Sequence, residues 1–598
     1  MSSSKLLIYT REPMESDIYD PKLAYSMHIA VKNDGGVTVL NHNSGVFFAK
    51  ATENQDGSLN AKSLRSPYAV RLGNESGWGV IAVRTEADGS LEPDSCGCLL
   101  LAKTEDFIHF KELGLLKLSD SHIERAAVFT AEGESSCKIV YKTEDGVFCS
   151  SLDSFSPESN VSPCEPEGLS LPEPSACGGF AEGAVLSCEI PIPDSLAEEL
   201  IKRLTTPCNT SVIVPDTVYC SSDSELAGVK AVCLYSDGSK DEKAVDWELS
   251  CVDFNKPGSY TVNGRIKQDH YPFPIAINRA DPCVTIWEGK YYFIATNDAD
   301  GNNSLYIRCA DSLHGLIDAE EVLLLDTKTQ EGIKGLLWAP EFHEIDGRLY
   351  IFHAATTGHF FCEESHLMVL EKGKDPMVRS NWSDTRRITR ADGSELCEAG
   401  RTITLDMTVF EWDGSIYAVW SQRQFLPNDL GAWLYIARLN RNDPWRLDSE
   451  PVVLSKPDYG WANNHTFVDE GPFALFRDGK LWLSFSSAAV DSTYVVAFLT
   501  LEPGQDPLNP ECWVKANFPS LSSRSVTGEF GTGHNAYVKD TDGKVYNTYH
   551  ARPGVNGPRS SGIRRVHFNI YNEPVLDMTE ELDIRPWLRD VKTTVIVK

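Results

Sequence analysis

Three carboxylates and one imidazole recur at nearly the same place in four separated segments of this chain. Asp281 lies 8 residues before the turn glycine Gly289, and Asp406 lies 8 before Gly414. Glu470 and His534 each lie 9 before theirs, Gly479 and Gly543. If these residues begin equivalent strands of a repeating unit, their side chains converge on one opening. Three carboxylates around one opening can divide acid–base work. One activates water, one protonates a leaving oxygen, and a third raises the acid's pKa by like-charge repulsion. Cleavage of a glycosidic bond uses this division, with acid and base about 6.5–9.5 Å apart when water must fit between them. A purely structural acid needs no such phase relation.

The elements that must hold these residues are hairpins. Five segments share a polar residue, a short apolar strand, a DG or EG turn and an aromatic-rich strand. They read DPCVTIWEGKYYFIAT, WAPEFHEIDGRLYIFHAA, DMTVFEWDGSIYAVWS, EGPFALFRDGKLWLSFS and HNAYVKDTDGKVYNTYHA. Their turn glycines, Gly289, Gly347, Gly414, Gly479 and Gly543, are separated by 58, 67, 65 and 64 residues. A near-constant hairpin period marks radial or stacked repeats. One hairpin cannot stand alone, and a ring of four-stranded blades removes most open edges. The spacing therefore predicts a five-bladed β-propeller over 279–598. A large sandwich with chance spacing is the plainer alternative.

The same residues carry a resemblance. NRADP at 278–282, WAPE at 338–341, LDMTVFEWDG at 405–414 and DEGPF at 469–473 resemble the blade motifs of glycoside hydrolase family 43. The resemblance implies Asp281 as general base, Asp406 as the residue that tunes and orients, Glu470 as general acid, and inversion of configuration. It also implies a structural calcium or sodium ion on the propeller axis near His534, which lies in GTGHN. A hydrogen-bonded core histidine is the alternative there. No cofactor is required for the chemistry. Read singly, Asp281 before Pro282 is a strand-start or turn acid, and Asp406 a cap or turn acid. Glu470 precedes Gly471-Pro472, where a charge has little secondary-structure purpose. Its neighbour Asp469 would point the other way along a strand.

Sugar faces stack on aromatic rings, while amides and guanidinium groups bond hydroxyls. Trp338, Phe360, Phe361, Arg423, Trp461, Asn463, His465 and Arg552 are the candidates for such a subsite. Most aromatics of a propeller are core, and Trp338 stands out because it is in phase with Glu470 and His534. With the resemblance, the expected function is an exo-acting, inverting glycosidase that releases a terminal pentose. An α-L-arabinofuranosidase on plant-derived oligosaccharides is the first reading and a β-xylosidase its rival. The alternative of another class is a non-catalytic carbohydrate-binding propeller, which would not require the intact acid set.

The rest of the chain frames this reading. Its 598 residues exceed one hydrophobic core, so two to four domains are expected. A formal net charge of −31 repels phosphate backbones and anionic lipid, so neither nucleic acid nor a membrane is expected as partner. Solubility alone would explain that charge as well. No run of 18 or more apolar residues appears. The first residues, MSSSKLLIYTREPMESD, lack a signal-peptide core, and the 16 cysteines form no framework, with Cys96 and Cys98 only a lone C-x-C. Together these predict a cytoplasmic protein with buried free thiols.

Residues 1–190 read as a β-rich domain, either a partial propeller or a sandwich, with 156–188 as irregular connection. Residues 191–278 begin with a connecting helix, PDSLAEELIKRL at 193–204. Asp194 or Ser195 would cap it, with Leu196, Leu200, Ile201 and Leu204 on one face. The following stretch, with a DG hairpin, a lone Trp247 and a KPGSYTV turn-strand, resembles the bacterial immunoglobulin-like group 4 domain. The fold class is all-β.

Overall fold

A computed structural model describes residues 4–14, 18–73, 76–166, 168–174 and 179–598. Five four-stranded antiparallel sheets form the C-terminal propeller. Their first strands are Arg279–Trp287, Gly335–Ile345, Thr402–Trp412, Asp469–Arg477 and Phe530–Lys539. The outer strand of the fifth sheet, Ala276–Ile277, pairs with Ser560–Arg565, so the segment that enters the ring also closes it. Turn chemistry explains the hairpins. Glu288-Gly289, Asp346-Gly347, Asp413-Gly414 and Asp478-Gly479 all have positive φ at both residues. That is the two-residue turn whose twist matches the flanking strands. Apolar side chains fill the spaces between sheets, such as Ile294, Ile307, Leu337 and Ile351 between the first and second.

Residues near the N-terminus build three more four-stranded sheets. The middle one, Lys62–Arg71, Trp78–Glu86, Cys98–Thr104 and Phe110–Lys117, packs on both neighbours through two apolar clusters. Its first strand is bulged between Arg65 and Tyr68, with Ser66 at φ 50. The segment expected to be irregular contributes strands Val161–Pro163 and Ala184–Pro191, the latter paired with Lys5–Arg11.

The helix spans Asp194–Leu204, with Pro193 at its N-cap and no side-chain cap bond, so the expected Asp194 or Ser195 cap is not formed. It buries Ala197, Leu200 and Leu204 in the N-terminal core, and so belongs with those sheets. The immunoglobulin-like sandwich follows, with Trp247 in its core and Trp247 Nε1 donating to the carbonyl of Val229 at 2.9 Å. The propeller had been expected to run to 598. Instead the last strand, Asp590–Val597, lies between Thr217–Tyr219 and Gly258–Ile266 in the sandwich. Val595 and Val597 alternate into that apolar core, which accounts for the return.

Candidate active site

Each inner propeller strand is bulged at the same point, two residues standing opposite one on the next strand. The shifts fall at Ala280/Cys283, Trp338/Glu341, Leu405/Thr408, Glu470/Phe473 and Gly533/Ala536. The first bulged residues are Asp281, Ala339, Asp406, Gly471 and His534, with φ of 52, 43, 53, 55 and 53. Left-handed backbone costs about 1–2 kcal/mol for a residue with a Cβ, least for Asp and Asn. Bulges of this kind re-aim side chains beside functional sites. The equivalence corrects the phase counted from the turn glycines. His534 matches Asp281 and Asp406, while Glu470 and Trp338 stand one residue earlier. The fifth hairpin has a longer turn, which displaces its glycine. Gly471 differs from the other four in what faces it: a Cβ there would lie 3.1–3.3 Å from the His534 ring.

These residues share one cavity of about 360 Å³. It is lined by Asp281, Trp338, Phe360, Arg423, Asp406, Glu470 and His534, all expected from sequence, and by Asn302, Ile403, Leu405, Ala432, Val468, Val490 and Arg559. A larger cavity of about 490 Å³, between the sandwich and the fifth blade, contains none of the carboxylate set.

Asp281 sits in a cationic cradle. Its Oδ1 lies 2.9 Å from His550 Nδ1, 3.3 Å from His534 Nδ1 and 3.4 Å from Arg559 Nη1. Thr296 Oγ1 donates to its Oδ2 at 2.6 Å. Burial alone would raise the pKa of Asp281, but His534, Arg559 and His550 outweigh it and hold the carboxyl well below the usual range. Burial lowers His550 to about 4, against the pull of Asp281. His534 is the opposite case: burial disfavours its charge, yet Asp281, Asp406 and Glu470 together raise its pKa.

The other two carboxyls hold protons more tightly. Burial pushes Asp406 up to about 8, with repulsion from Glu470 and Asp281 adding and His534 opposing. The backbone N–H of Gly471 donates to Asp406 Oδ2 at 3.1 Å. Glu470 is also raised, by burial and by Asp281, against a hydrogen bond from Tyr494 and the charge of His534. The pocket thus pairs one strongly ionised carboxylate with two carboxyls disposed to keep a proton.

The model of "Glycosyl hydrolases family 43" matches residues 271–570, half of the chain, and that of "Bacterial Ig-like domain (group 4)" matches 229–269. The chain belongs to glycosyl hydrolase family 43.

Among curated relatives, this family 43 chain is 34% identical over 279 residues to alpha-L-arabinofuranosidase B of Pyricularia oryzae, covering 46% of this chain and 54% of that protein. It is 31% identical over 313 residues to an extracellular exo-alpha-(1->5)-L-arabinofuranosidase of Streptomyces avermitilis, covering 50% and 62%. The chain therefore spans less than two thirds of the length of these relatives. A solved alpha-L-arabinofuranosidase from Lactobacillus brevis is 29% identical, with a TM-score of 0.45, covering 51% of this chain and 95% of that one. The expected cytoplasmic location is corrected here. The Streptomyces avermitilis and Streptomyces chartreusis relatives are named as extracellular enzymes, which contradicts that expectation.

Not every candidate of the family 43 site reaches the cavity. Trp461 is wholly buried, donates Nε1–H to the carbonyl of Asn517 and stacks on Tyr459, so it is core. Asn463 is buried too, and its carbonyl accepts from Lys22 Nζ at 2.8 Å. His465 pairs with Asp491, and Arg552 donates to the carbonyl of Val490, so both brace a loop behind the pocket wall. Phe361 packs at the rim on Phe360 and Phe425, with ring centroids 5.3 and 5.0 Å away. Asp469 points into its blade, held by Lys515, Ser455 and Ser487.

The residues that sequence reading missed are Arg559, His550 and Tyr494. Arg559 follows Pro558 in a loop with no motif, bridging Asp281 to Asp298 at 2.7 Å. His550 lies on the second strand of its blade and Tyr494 immediately before the third strand of its own, both outside the repeated inner-strand pattern. Among the described residues, no group of three or more His, Cys, Asp or Glu side chains is arranged to hold a metal ion.

Proposed function

We propose that this pocket is the active site of an inverting exo-α-L-arabinofuranosidase. The observation that carries the reading is the split in proton affinity. Asp281 is held ionised by three cationic or imidazole neighbours, while Asp406 and Glu470 across the same cavity are both shifted toward the protonated form. In the proposed step, Asp281 takes a proton from a water that attacks the anomeric carbon. The bond to the leaving oxygen breaks as Glu470 donates its proton to that oxygen. The new C–O bond forms on the opposite face, so configuration inverts. Asp406 raises the proton affinity of the pair by like-charge repulsion and is itself anchored by Gly471.

Trp338 offers a ring face to the released sugar, and Arg559 and Asn302 offer hydrogen bonds to its hydroxyls, while Phe360 and Arg423 line the cavity's edge. The relatives' names support arabinofuranose as the released sugar and oligosaccharides outside the cell as substrates. His534, whose buried Nε2 has no hydrogen-bond partner among the described residues, is the residue that would face an axial calcium or sodium ion, which would add positive charge beside the carboxylates. The residues present do not form a direct ligand set, and no step is routed through a cation. The domain division is part of the same proposal, with the first boundary moved from 190 to the end of the helix at Leu204, the second kept at 278, and the last strand assigned to the sandwich.

The test is turnover of para-nitrophenyl α-L-arabinofuranoside beside the β-D-xyloside, with the first-formed anomer followed by proton NMR. Faster arabinoside turnover and the inverted anomer are expected. Faster xyloside turnover overturns the sugar, retention overturns the mechanism, and binding without release supports a carbohydrate-binding propeller.

A further inference from the structure

The three N-terminal sheets carry no catalytic group, yet a separate two-stranded hairpin on the chain between the first and the middle sheet reaches the pocket mouth. The hairpin pairs Thr52–Glu53 with Leu59–Asn60. At its tip, Asp56 Oδ2 accepts from Asn428 Nδ2 at 2.7 Å. A Cβ on Gly57 would stand 3.6 Å from Leu430 and 3.9 Å from Trp433, so the tip lies against both side chains. At its base, Glu53 binds Lys456 at 2.8 Å, and Lys50 forms an isolated bridge with Tyr459.

Asn428 and Leu430 belong to the loop between the second and third strands of the third blade, and that loop shapes the mouth. Its Asp429 grips Arg423 through two bonds, at 2.7 and 3.1 Å, and Arg423 lines the cavity. The Arg423 guanidinium lies 5.1 Å from the Phe425 ring centre. Phe425 packs on Phe360 and Phe361, which are 40% and 42% exposed. Arg423 and the three rings thus form a half-apolar shelf beside the pocket. A shelf of this make fits the face of a sugar ring beyond the scissile bond, with the guanidinium on its hydroxyls.

We infer that the N-terminal sheets are a specificity element: the hairpin at residues 52–60 holds the 425–430 loop so that the shelf grips the leaving part of an oligosaccharide. The inference rests on the pocket being the active site proposed above. A para-nitrophenyl arabinoside has no second sugar to place on the shelf, and so serves as internal control.

The experiment replaces residues 55–58 by Asn-Gly and, separately, makes Asp56→Ala, Asn428→Ala and the double variant. Kinetics are measured on para-nitrophenyl α-L-arabinofuranoside and on an arabino-oligosaccharide of three or more units. With the shortened hairpin, KM for the oligosaccharide should rise roughly fivefold or more, with kcat and the para-nitrophenyl kinetics changing less than about twofold. Asp56→Ala and Asn428→Ala should raise that KM non-additively, because they break one contact. Equal changes on both substrates, unchanged KM, or additive effects of the two exposed substitutions would overturn the inference. A wild-type protein that turns over neither substrate defeats the active-site reading instead.

Discussion

The hydroxyl of Tyr494 donates to Glu470 Oε1 at 2.7 Å, while its ring stacks on His550 with centroids 5.5 Å apart and planes 2° apart. Since His550 lies 2.9 Å from Asp281, one phenol links the surroundings of the two carboxyls proposed as acid and base. The bond occupies Oε1 as an acceptor and leaves the proton of the neutral acid to Oε2. Gly533 makes room, for a Cβ there would lie 2.2 Å from the Tyr494 ring.

Tyr494→Phe should therefore alter acidity more than binding. The hydroxyl lowers the proton affinity of Glu470, so its loss raises it. The alkaline limb of kcat/KM should move to higher pH. Turnover of substrates with poor leaving groups should fall roughly tenfold as the acid loses its orientation. An unshifted limb would reduce Tyr494 to packing.

The pH profile of the intact protein should be asymmetric. Activity needs Asp281 ionised, and its depressed pKa puts the acid limb below the ordinary carboxylate range. Activity also needs the proton shared by Asp406 and Glu470, and both are raised, Asp406 to about 8. The alkaline limb therefore reports the pair rather than either residue, and activity is lost as pH rises through its higher value. Asp406→Asn removes one charge of the pair and should move that limb to lower pH.

Glu470→Gln should keep sugar binding by calorimetry and lose about 10²–10⁴ in kcat on natural glycosides. The loss should be smaller with a para-nitrophenyl leaving group, which needs less protonation. Asp281→Asn should instead slow both substrates alike, because both need the same activated water in the displacement step whatever the leaving group.

Gly471→Ala tests the strained ring of bulges. A Cβ at φ 55 and 3.1–3.3 Å from His534 should cost about 1–3 kcal/mol and lower Tm by a few degrees. Activity should fall further than stability, since Gly471 N–H also anchors Asp406. Gly504→Ala has positive φ but open surroundings and gives the backbone cost alone.

What the sequence determined by itself is local. A DG or EG pair writes a two-residue turn into adjacent residues, and the aromatic and β-branched flanks write the strands. Five such hairpins at nearly constant spacing imply the ring, and the carboxylates ahead of the turns imply one opening. Asp281, Asp406 and Glu470 were legible for that reason. What tertiary structure alone decided is long-range. The bulges set which residue of each inner strand turns inward, and no residue type announces a bulge at Ala339 or His534. Arg559 and His550 meet Asp281 only once blade five closes against blade one, and Tyr494 reaches Glu470 only once the strands of their shared blade pair. Trp461 and Asn463 look like sugar ligands until packing buries them. The last strand reads like any other β segment, and only the half-built core of the sandwich draws it away from the propeller. Turns depend on neighbours in sequence, whereas the site depends on which apolar faces find each other across hundreds of residues.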